Sequence, residues 1–269
     1  MKIISNKNNL IKITNNIKNL GFVPTMGGIH KGHLSLIKAS QKKCKKTLVS
    51  IFINKPQFNR KKDFQSYPRT IKTDIKKLSS YKVDYLFCPS FNAMYPDGVN
   101  KKIKVIPFSK KLCGKFRPGH FKAIADIIDR FIKIVKPKKI FLGEKDMQQL
   151  KIIDAFVSKN YPEIKVIGCK TIREKNGIAI SSRNFLLSKK EKKIASKIYK
   201  FIKKNKRVIL TKKVKFTNIK KTLLEFGARR IDYIKILDIN SIIKSRSKKN
   251  KSRIFVAYYL SSVRLIDNI

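Results

Sequence analysis

The sequence has no tryptophan and only three histidines. Its four cysteines, Cys44, Cys88, Cys113 and Cys169, stand far apart with no C-x-x-C pair. That excludes the usual zinc-site spacing and a secreted disulfide framework. No apolar run approaches the ~20 residues of a membrane span. The start, Met1-Lys2-Ile3-Ile4-Ser5-Asn6, does not lead into the apolar segment of a signal peptide. A cytoplasmic protein with free thiols and no membrane association is expected. Acids are the scarcest charged class, 16 against 65 lysines and arginines, for a formal net charge of +49. Such a charge would release many counterions from a polyanion, which points to nucleic acid. Against that, lysine is spread through nearly every segment beside abundant Ile and Asn, as in an AT-rich coding bias. There is no basic helix and no aromatic-basic RNA motif. No specific nucleic-acid partner is expected.

The 269 residues, 42% of them hydrophobic, suffice for one large domain or two moderate ones. Ile3-Ile4 is a candidate first strand, and Asn6 to Asn19 carries apolar residues at near-helical spacing. Strands are expected at Leu20–Val23, Thr47–Ile53, Val83–Cys88, Ile103–Ile106, Lys139–Leu142 and Ile164–Cys169. Helices are expected at His33 to about Lys45, Thr70–Ser79, Phe121–Val135 and Asp146–Ser158. The nearly all-apolar strands suit a parallel sheet covered on both faces. The alternation is α/β, a Rossmann-like doubly wound parallel sheet. From Ser188 the texture changes. Ser188 and Glu191 form a helix-start pattern, a second helix covers Thr217–Phe226, and strands follow at Ile231–Leu237 and Ile254–Leu260. The expected division is residues 1–184, and a smaller C-terminal α+β domain, 185–269, closing over the site.

The densest chemistry lies in Pro24-Thr25-Met26-Gly27-Gly28-Ile29-His30-Lys31-Gly32-His33, between a strand and a helix start. Glycines allow close backbone approach, and a helix N-terminus favours phosphate. His30 and His33 share one face of the first helical turn. A βα turn with two surface histidines is the bland alternative. In an open α/β sheet, ligands bind beyond the carboxyl ends of the strands. That rule gathers Gln57, the run Gly143-Glu144-Lys145-Asp146 with Gln148 and Gln149, and Ile172-Arg173-Glu174 with Ile180-Ser181-Ser182-Arg183-Asn184. The third histidine, His120, stands in Arg117-Pro118-Gly119-His120-Phe121.

Lys145 before a helix is a point charge suited to phosphate, although most lysines of this chain are simply solvated. Ser181, Ser182 and Arg183 offer hydroxyls and a guanidinium, or alternatively a turn and a cap. Gln57 and Gln149 are uncharged amides able to hold hydroxyls or carboxylates. Arg117 and His120 fit either a mobile loop or a structural turn. No Ser-His-Asp order and no metal-ligand cluster is present, so any metal is expected to arrive with a nucleotide.

Taken together, these motifs resemble the nucleotidylyltransferase superfamily. The fuller set is similar to the pantothenate synthetase (pantoate–β-alanine ligase) family. Pro24-Thr25-Met26-Gly27, His30-x-Gly32-His33, Ser50-Ile51-Phe52-Ile53-Asn54, Gln57-Phe58, Tyr67-Pro68-Arg69-Thr70 and Tyr95-Pro96-x-Gly98 stand in family order. So do Arg117-Pro118-Gly119-His120-Phe121, Gly143-Glu144-Lys145-Asp146-x-Gln148-Gln149, Ser181-Ser182-Arg183-Asn184 and Arg264-Leu265-Ile266-Asp267-Asn268. The resemblance implies ATP-dependent joining of pantoate to β-alanine through a pantoyl adenylate, with AMP and pyrophosphate released. ATP would be a substrate carrying Mg2+, and a homodimer is implied. By analogy Met26, Gly27, Gly28, Ile29, His30, Lys31, Gly32 and His33 bind ATP. Gly143, Glu144, Lys145, Asp146, Ile172, Ile180, Ser181, Ser182 and Arg183 complete that site. His33, His30, Lys145 and Arg183 are the implied catalytic residues. Gln57 and Gln149 would hold pantoate, and Gln57 also β-alanine. Another adenylyl- or cytidylyltransferase would share the histidine loop without needing Gln57 and the Gly143 to Gln149 set.

The sequence departs from the family pattern in places. Proline is displaced by one in Asn54-Lys55-Pro56-Gln57, which could re-aim Gln57. Cys113 replaces a common acid, Ala123 a common glycine, and Asp126 a small or hydroxyl residue.

Overall fold

The computed structural model describes residues 1–242 and 252–269. The chain divides into two compact units. The first comprises Met1–Glu144 and Gln148–Lys170, the second Lys145–Met147 and Thr171–Ile269. Residues 171–184, grouped with the first domain on sequence grounds, thus lie in the second unit. Arg173 accounts for this locally, since its guanidinium pairs with Asp267 near the C-terminus.

The first unit is built on six parallel strands: β1 (Lys2–Ile4), β2 (Leu20–Thr25), β3 (Lys46–Ile51), β4 (Tyr85–Phe87), β5 (Lys139–Gly143) and β6 (Lys165–Cys169). Their order is β1-β4-β3-β2-β5-β6. The chain winds outward from β2 in one direction through β3 and in the other through β5, a doubly wound sheet with its switch point between β2 and β5. Successive strand residues face opposite sides. Val23, Val49, Leu86 and Phe141 pack on one side with Ile29, Leu34, Ile37 and Leu78. Phe22 and Phe87 face the other, where both rings meet Phe131. Phe131 belongs to the helix His120–Val135, nearly all of whose residues are buried. Burial on both faces explains why these strands read as unbroken apolar runs.

The expected strand at Ile103–Ile106 does not form. Ile103 is buried, but the segment is irregular and runs into a 3-10 turn at Pro107–Lys110. Proline lacks the N–H that a continuing ladder needs. The departure at Asp126 also has a local explanation. Asp126 accepts Nε of Arg130 at 2.8 Å and the backbone N–H of Asn100 at 3.0 Å. Arg130 in turn donates to the carbonyls of Met94 and Gly98 and stacks on Tyr95, so this pair fixes the Tyr95-Pro96-Asp97-Gly98 turn.

The second unit carries three antiparallel strands, β7 (Arg230–Asp238), β8 (Ser252–Leu260) and β9 (Val263–Asn268), in that order. Its core joins Ile254, Val256 and Leu260 to Ile198 and Ile202 of helix Lys189–Lys204 and to Leu223 of helix Phe216–Glu225. Ser188 and Glu191 form a complete capping box, each side chain bonding the other's backbone N–H. Within this C-terminal part, residues 243–251 lie outside the described residues.

Candidate active site

β2 ends at Thr25, and helix Lys31–Lys43 begins six residues on with His30 as its N-cap. Gly27 and Gly28 take positive φ, +82° and +62°, which L side chains adopt only with strain. A Cβ on Gly27 would also lie 3.2 Å from Asp74 Oδ2. The turn is therefore compact and largely buried, and His30 and His33 emerge from its end with rings stacked at 4.0 Å between centroids and 12° between planes. Nδ1 of His30 accepts the N–H of His33 at 3.4 Å, so in the neutral ring the proton sits on Nε2. The first N–H groups of a helix have no intrahelical partner, which gives this end a partial positive charge. The backbone of the turn itself behaves differently from expectation. The N–H groups of Gly28 and Ile29 each donate to Asp74, at 2.8 Å, and are turned toward the protein. The donors this turn leaves for an anion are the helix end and the imidazoles.

Gln57 closes a 3-10 turn, Lys55–Gln57, that follows β3. Pro56 fits the early position of that turn, where a missing N–H costs nothing, so the displaced proline is accommodated. The amide is held at both of its polar atoms. Its Nε2 lies 3.1 Å from Met26 Sδ, and its Oε1 accepts Asn54 Nδ2 at 3.1 Å. Asn54 is buried, accepts the Tyr95 hydroxyl at 2.7 Å and donates to the carbonyl of Ala123. Burial pushes the Tyr95 phenol well above its ordinary range, so it stays a donor. The carbonyl of Gln57 takes His120 Nδ1 at 2.8 Å and Arg117 Nη2 at 3.1 Å. Arg117 Nη1 also reaches His120 Nε2 at 2.9 Å, which makes Nε2 the acceptor and Nδ1 the donor of a neutral imidazole. The third histidine therefore serves the Gln57 turn rather than joining His30 and His33.

Gly143 ends β5, and a Cβ there would meet open space. Glu144 and Asp146 bound a 3-10 turn leading into helix Met147–Asn160. Gln148 and Gln149 then part company. Gln148 is buried, accepts the N–H of Cys113 at 3.0 Å and donates to the carbonyls of Phe108 and Lys111, which ties down residues 108–113. Cys113, in place of an acid, meets that scaffold through its backbone. Gln149 is half-buried, with no side-chain hydrogen bond among the described residues.

In the second unit Lys145 Nζ pairs with Asp146 at 3.1 Å and is mostly buried. Asn268 Nδ2 holds the carbonyl of Lys145 at 2.9 Å, and Arg253 Nη1 holds Asn268 Oδ1 at 2.7 Å. Residues 172–180 fold back as a tight turn, with the N–H of Ile180 on the carbonyl of Ile172 at 3.0 Å. Ser181 caps the 3-10 helix Ser182–Leu186 by position, and its hydroxyl donates to Asn184 Oδ1 at 2.8 Å. Lys145, Ser181, Arg183, Tyr258, Arg264 and Asp267 line one cavity in this unit. Arg264 is paired with Asp232 and Lys145 with Asp146, so the cationic groups of this lining are already engaged in ion pairs at these two positions.

The structure thus collects Met26 to His33 with Gln57 in the first unit, and Lys145 with Ser181 and Arg183 in the second. Asp74 stands outside every motif of the sequence, and Asn54, Tyr95 and Asn268 occur in motifs there without a role of their own. Only the scarcity of acids could have drawn attention to Asp74, which lies in a helix outside every glycine or histidine motif. Among the described residues no group of three His, Cys, Asp or Glu side chains could hold a metal ion.

The pantoate-beta-alanine ligase family model matches residues 2–269. A pantothenate synthetase from Thermodesulfovibrio yellowstonii is 40% identical over 258 residues, spanning 94% of this chain and 91% of the relative. One from a Sulfurihydrogenibium species is 41% identical over 258 residues, spanning 94% and 92%. The crystal structure of pantothenate synthetase from Thermus thermophilus superposes with a TM-score of 0.88 at 31% identity, covering 100% of this chain and 99% of that one. Pantoate-beta-alanine ligase from Francisella tularensis, solved with beta-gamma ATP and beta-alanine, gives a TM-score of 0.85 at 36% identity, covering 100% and 97%. The chain belongs to the pantoate–β-alanine ligase family.

Proposed function

We propose that this chain condenses pantoate with β-alanine at the expense of ATP, and that the residues brought together above divide the work. A pantoate carboxylate oxygen attacks the α-phosphorus of Mg-ATP, and the bond to the pyrophosphate oxygen breaks. The β-alanine amine then attacks the acyl carbon of pantoyl adenylate, losing a proton, and AMP leaves. Adenylation converts a poor leaving oxygen into a good one, so the enzyme's task is positioning and charge stabilisation.

The observation that carries this reading is the Gln57 amide set against Met26 of the turn that presents His30 and His33. In this reading Gln57 is an uncharged carboxylate- and hydroxyl-binding group beside a phosphate-binding helix end. Met26 to His33 take ATP, with Lys31 and Gly32 at the helix start and His33 as proton donor to the leaving pyrophosphate. His30, Lys145 and Arg183 neutralise phosphate charge. Gly143, Glu144, Asp146, Ile172, Ile180, Ser181 and Ser182 complete the nucleotide contacts. Gln57 and Gln149 hold pantoate, and Gln57 also faces β-alanine. Mg2+ is carried by the nucleotide's own phosphates, in keeping with its preference for oxygen ligands and retained water. We further propose that the chain works as a cytoplasmic homodimer.

The test is ATP–pyrophosphate exchange. It should require pantoate and proceed without β-alanine. Exchange that ran equally well without pantoate, or only with a different acid, would overturn the reading.

A further inference from the structure

Helix Ile71–Ser80 faces the histidine-bearing turn from behind. Thr70, Asp74 and Lys77, spaced four and three apart, fall on one side of it. Asp74 is buried and uses both oxygens. Oδ2 accepts the N–H of Gly28 at 2.8 Å and the hydroxyl of Thr70 at 3.0 Å, while Oδ1 accepts the N–H of Ile29 at 2.8 Å. Lys77 Nζ donates to the carbonyl of Ile29 at 2.9 Å. Both peptide groups flanking Ile29 are thereby held, one residue before the N-cap His30.

A buried carboxylate beside a turn that takes a polyanion needs a reason. Through space its charge repels phosphate, and it touches no part of the substrate-facing side of the turn. Its value lies in direction: it draws two N–H groups inward and so fixes where His30 begins the helix and stacks on His33. We propose that Asp74 is the positioning residue of the nucleotide loop, with Thr70 setting its rotamer and Lys77 closing the other side of the clamp. This inference rests on the ATP-binding reading of Met26 to His33.

The two roles of the carboxylate predict opposite signs. If Asp74 acted only by its charge, Asp74→Asn would lower the KM for ATP. As a clamp, the asparagine amide can accept only one of the two N–H groups, and its NH2 opposes the other. Charge-assisted bonds of this kind support about a tenfold effect or more. In pantoate-dependent exchange, Asp74→Asn should raise the KM for ATP at least about tenfold and leave the KM for pantoate within about twofold. A purely structural role would reduce the active fraction and move neither KM. Thr70→Val, which removes one hydroxyl, should shift the KM for ATP in the same direction by about threefold. A folded Asp74→Asn with unchanged or lower KM for ATP would overturn the inference. If Asp74→Asn does not fold, an unchanged KM for ATP in Thr70→Val does the same. Exchange by the unaltered chain without pantoate would instead sink the underlying functional reading.

Discussion

The Nε2 of Gln57 and the Sδ of Met26 are 3.1 Å apart, joining the turn after β3 to the turn after β2. The contact fixes the sense of the amide. Because Asn54 donates to Oε1, the NH2 group is the part of Gln57 directed at the turn. An NH2 in that place can donate to a carboxylate without attracting the triphosphate away from its own cations.

Gln57→Ala is therefore expected to raise the KM for pantoate by about tenfold or more, the effect of losing one or two hydrogen bonds to a charged ligand. Steady-state exchange kinetics at saturating ATP would measure it. An unchanged KM for pantoate would remove Gln57 from the substrate contacts.

His33→Ala should reduce adenylation by about 10²- to 10⁴-fold, the range for loss of a general acid. The circular dichroism spectrum and thermal midpoint should stay close to those of the parent, since the ring sits at a helix start outside the packed core. Near-parental exchange in the variant would take His33 out of the mechanism.

The capping box at Ser188 makes a prediction about pH. The Glu191 carboxyl is held below its usual range, first by the N–H of Ser188 and then by the hydroxyls of Ser261 and Ser188. A depressed folded value means that the stabilisation is present above the unfolded pKa, about 4.3, and is lost as pH falls through the folded value. Glu191→Gln should accordingly melt below the parent at pH 7, and the gap should close on acidification toward pH 3. Ser188→Ala should cost about 1 kcal/mol, read by chemical denaturation. A gap that widened in acid would contradict the assignment.

Cys88 follows β4, and its thiol is pushed up to about 11, chiefly by burial, with Asp74 adding to the rise and the backbone at Ile51 opposing it. Relative to an ordinary thiol, the thiolate population at neutral pH falls about a hundredfold. Iodoacetamide at pH 7.5 should leave Cys88 unmodified in the native protein and label it once the chain is denatured. Peptide mass mapping decides the matter, and rapid native labelling at Cys88 would refute it.

Much of this molecule was legible in its residues. The strands β2, β3 and β5 announce themselves because burial on both faces leaves little room for polar alternation. The Met26 to His33 turn announces itself by glycines that the positive φ values require. Ile103–Ile106 misled because apolar content alone does not distinguish a strand from a buried irregular segment ending at proline. The pairing of Arg173 with Asp267 was hidden because it spans nearly a hundred residues. Asp74, and the contacts of Asn54 and Asn268 though both residues stand in quoted motifs, were hidden for a related reason. They act on backbone groups of distant turns, and such contacts leave no spacing pattern. Gln148 and Gln149 stand side by side in the same motif, yet helix geometry turns one toward the carbonyls of a loop and leaves the other without a partner among the described residues.

The shortage of acids has one more meaning. Only 16 acidic residues stand among 65 basic ones. Asp74, Asp126, Asp129, Asp232 and Asp267 all have side chains withdrawn from water and engaged with a cation or a backbone N–H. Others, Asp63, Asp97, Glu163 and Glu225, stand exposed, so the presence of an acid does not by itself mark a structural role. In a protein of this composition the informative acids are the withdrawn ones, and a search for structurally indispensable residues can begin with those five.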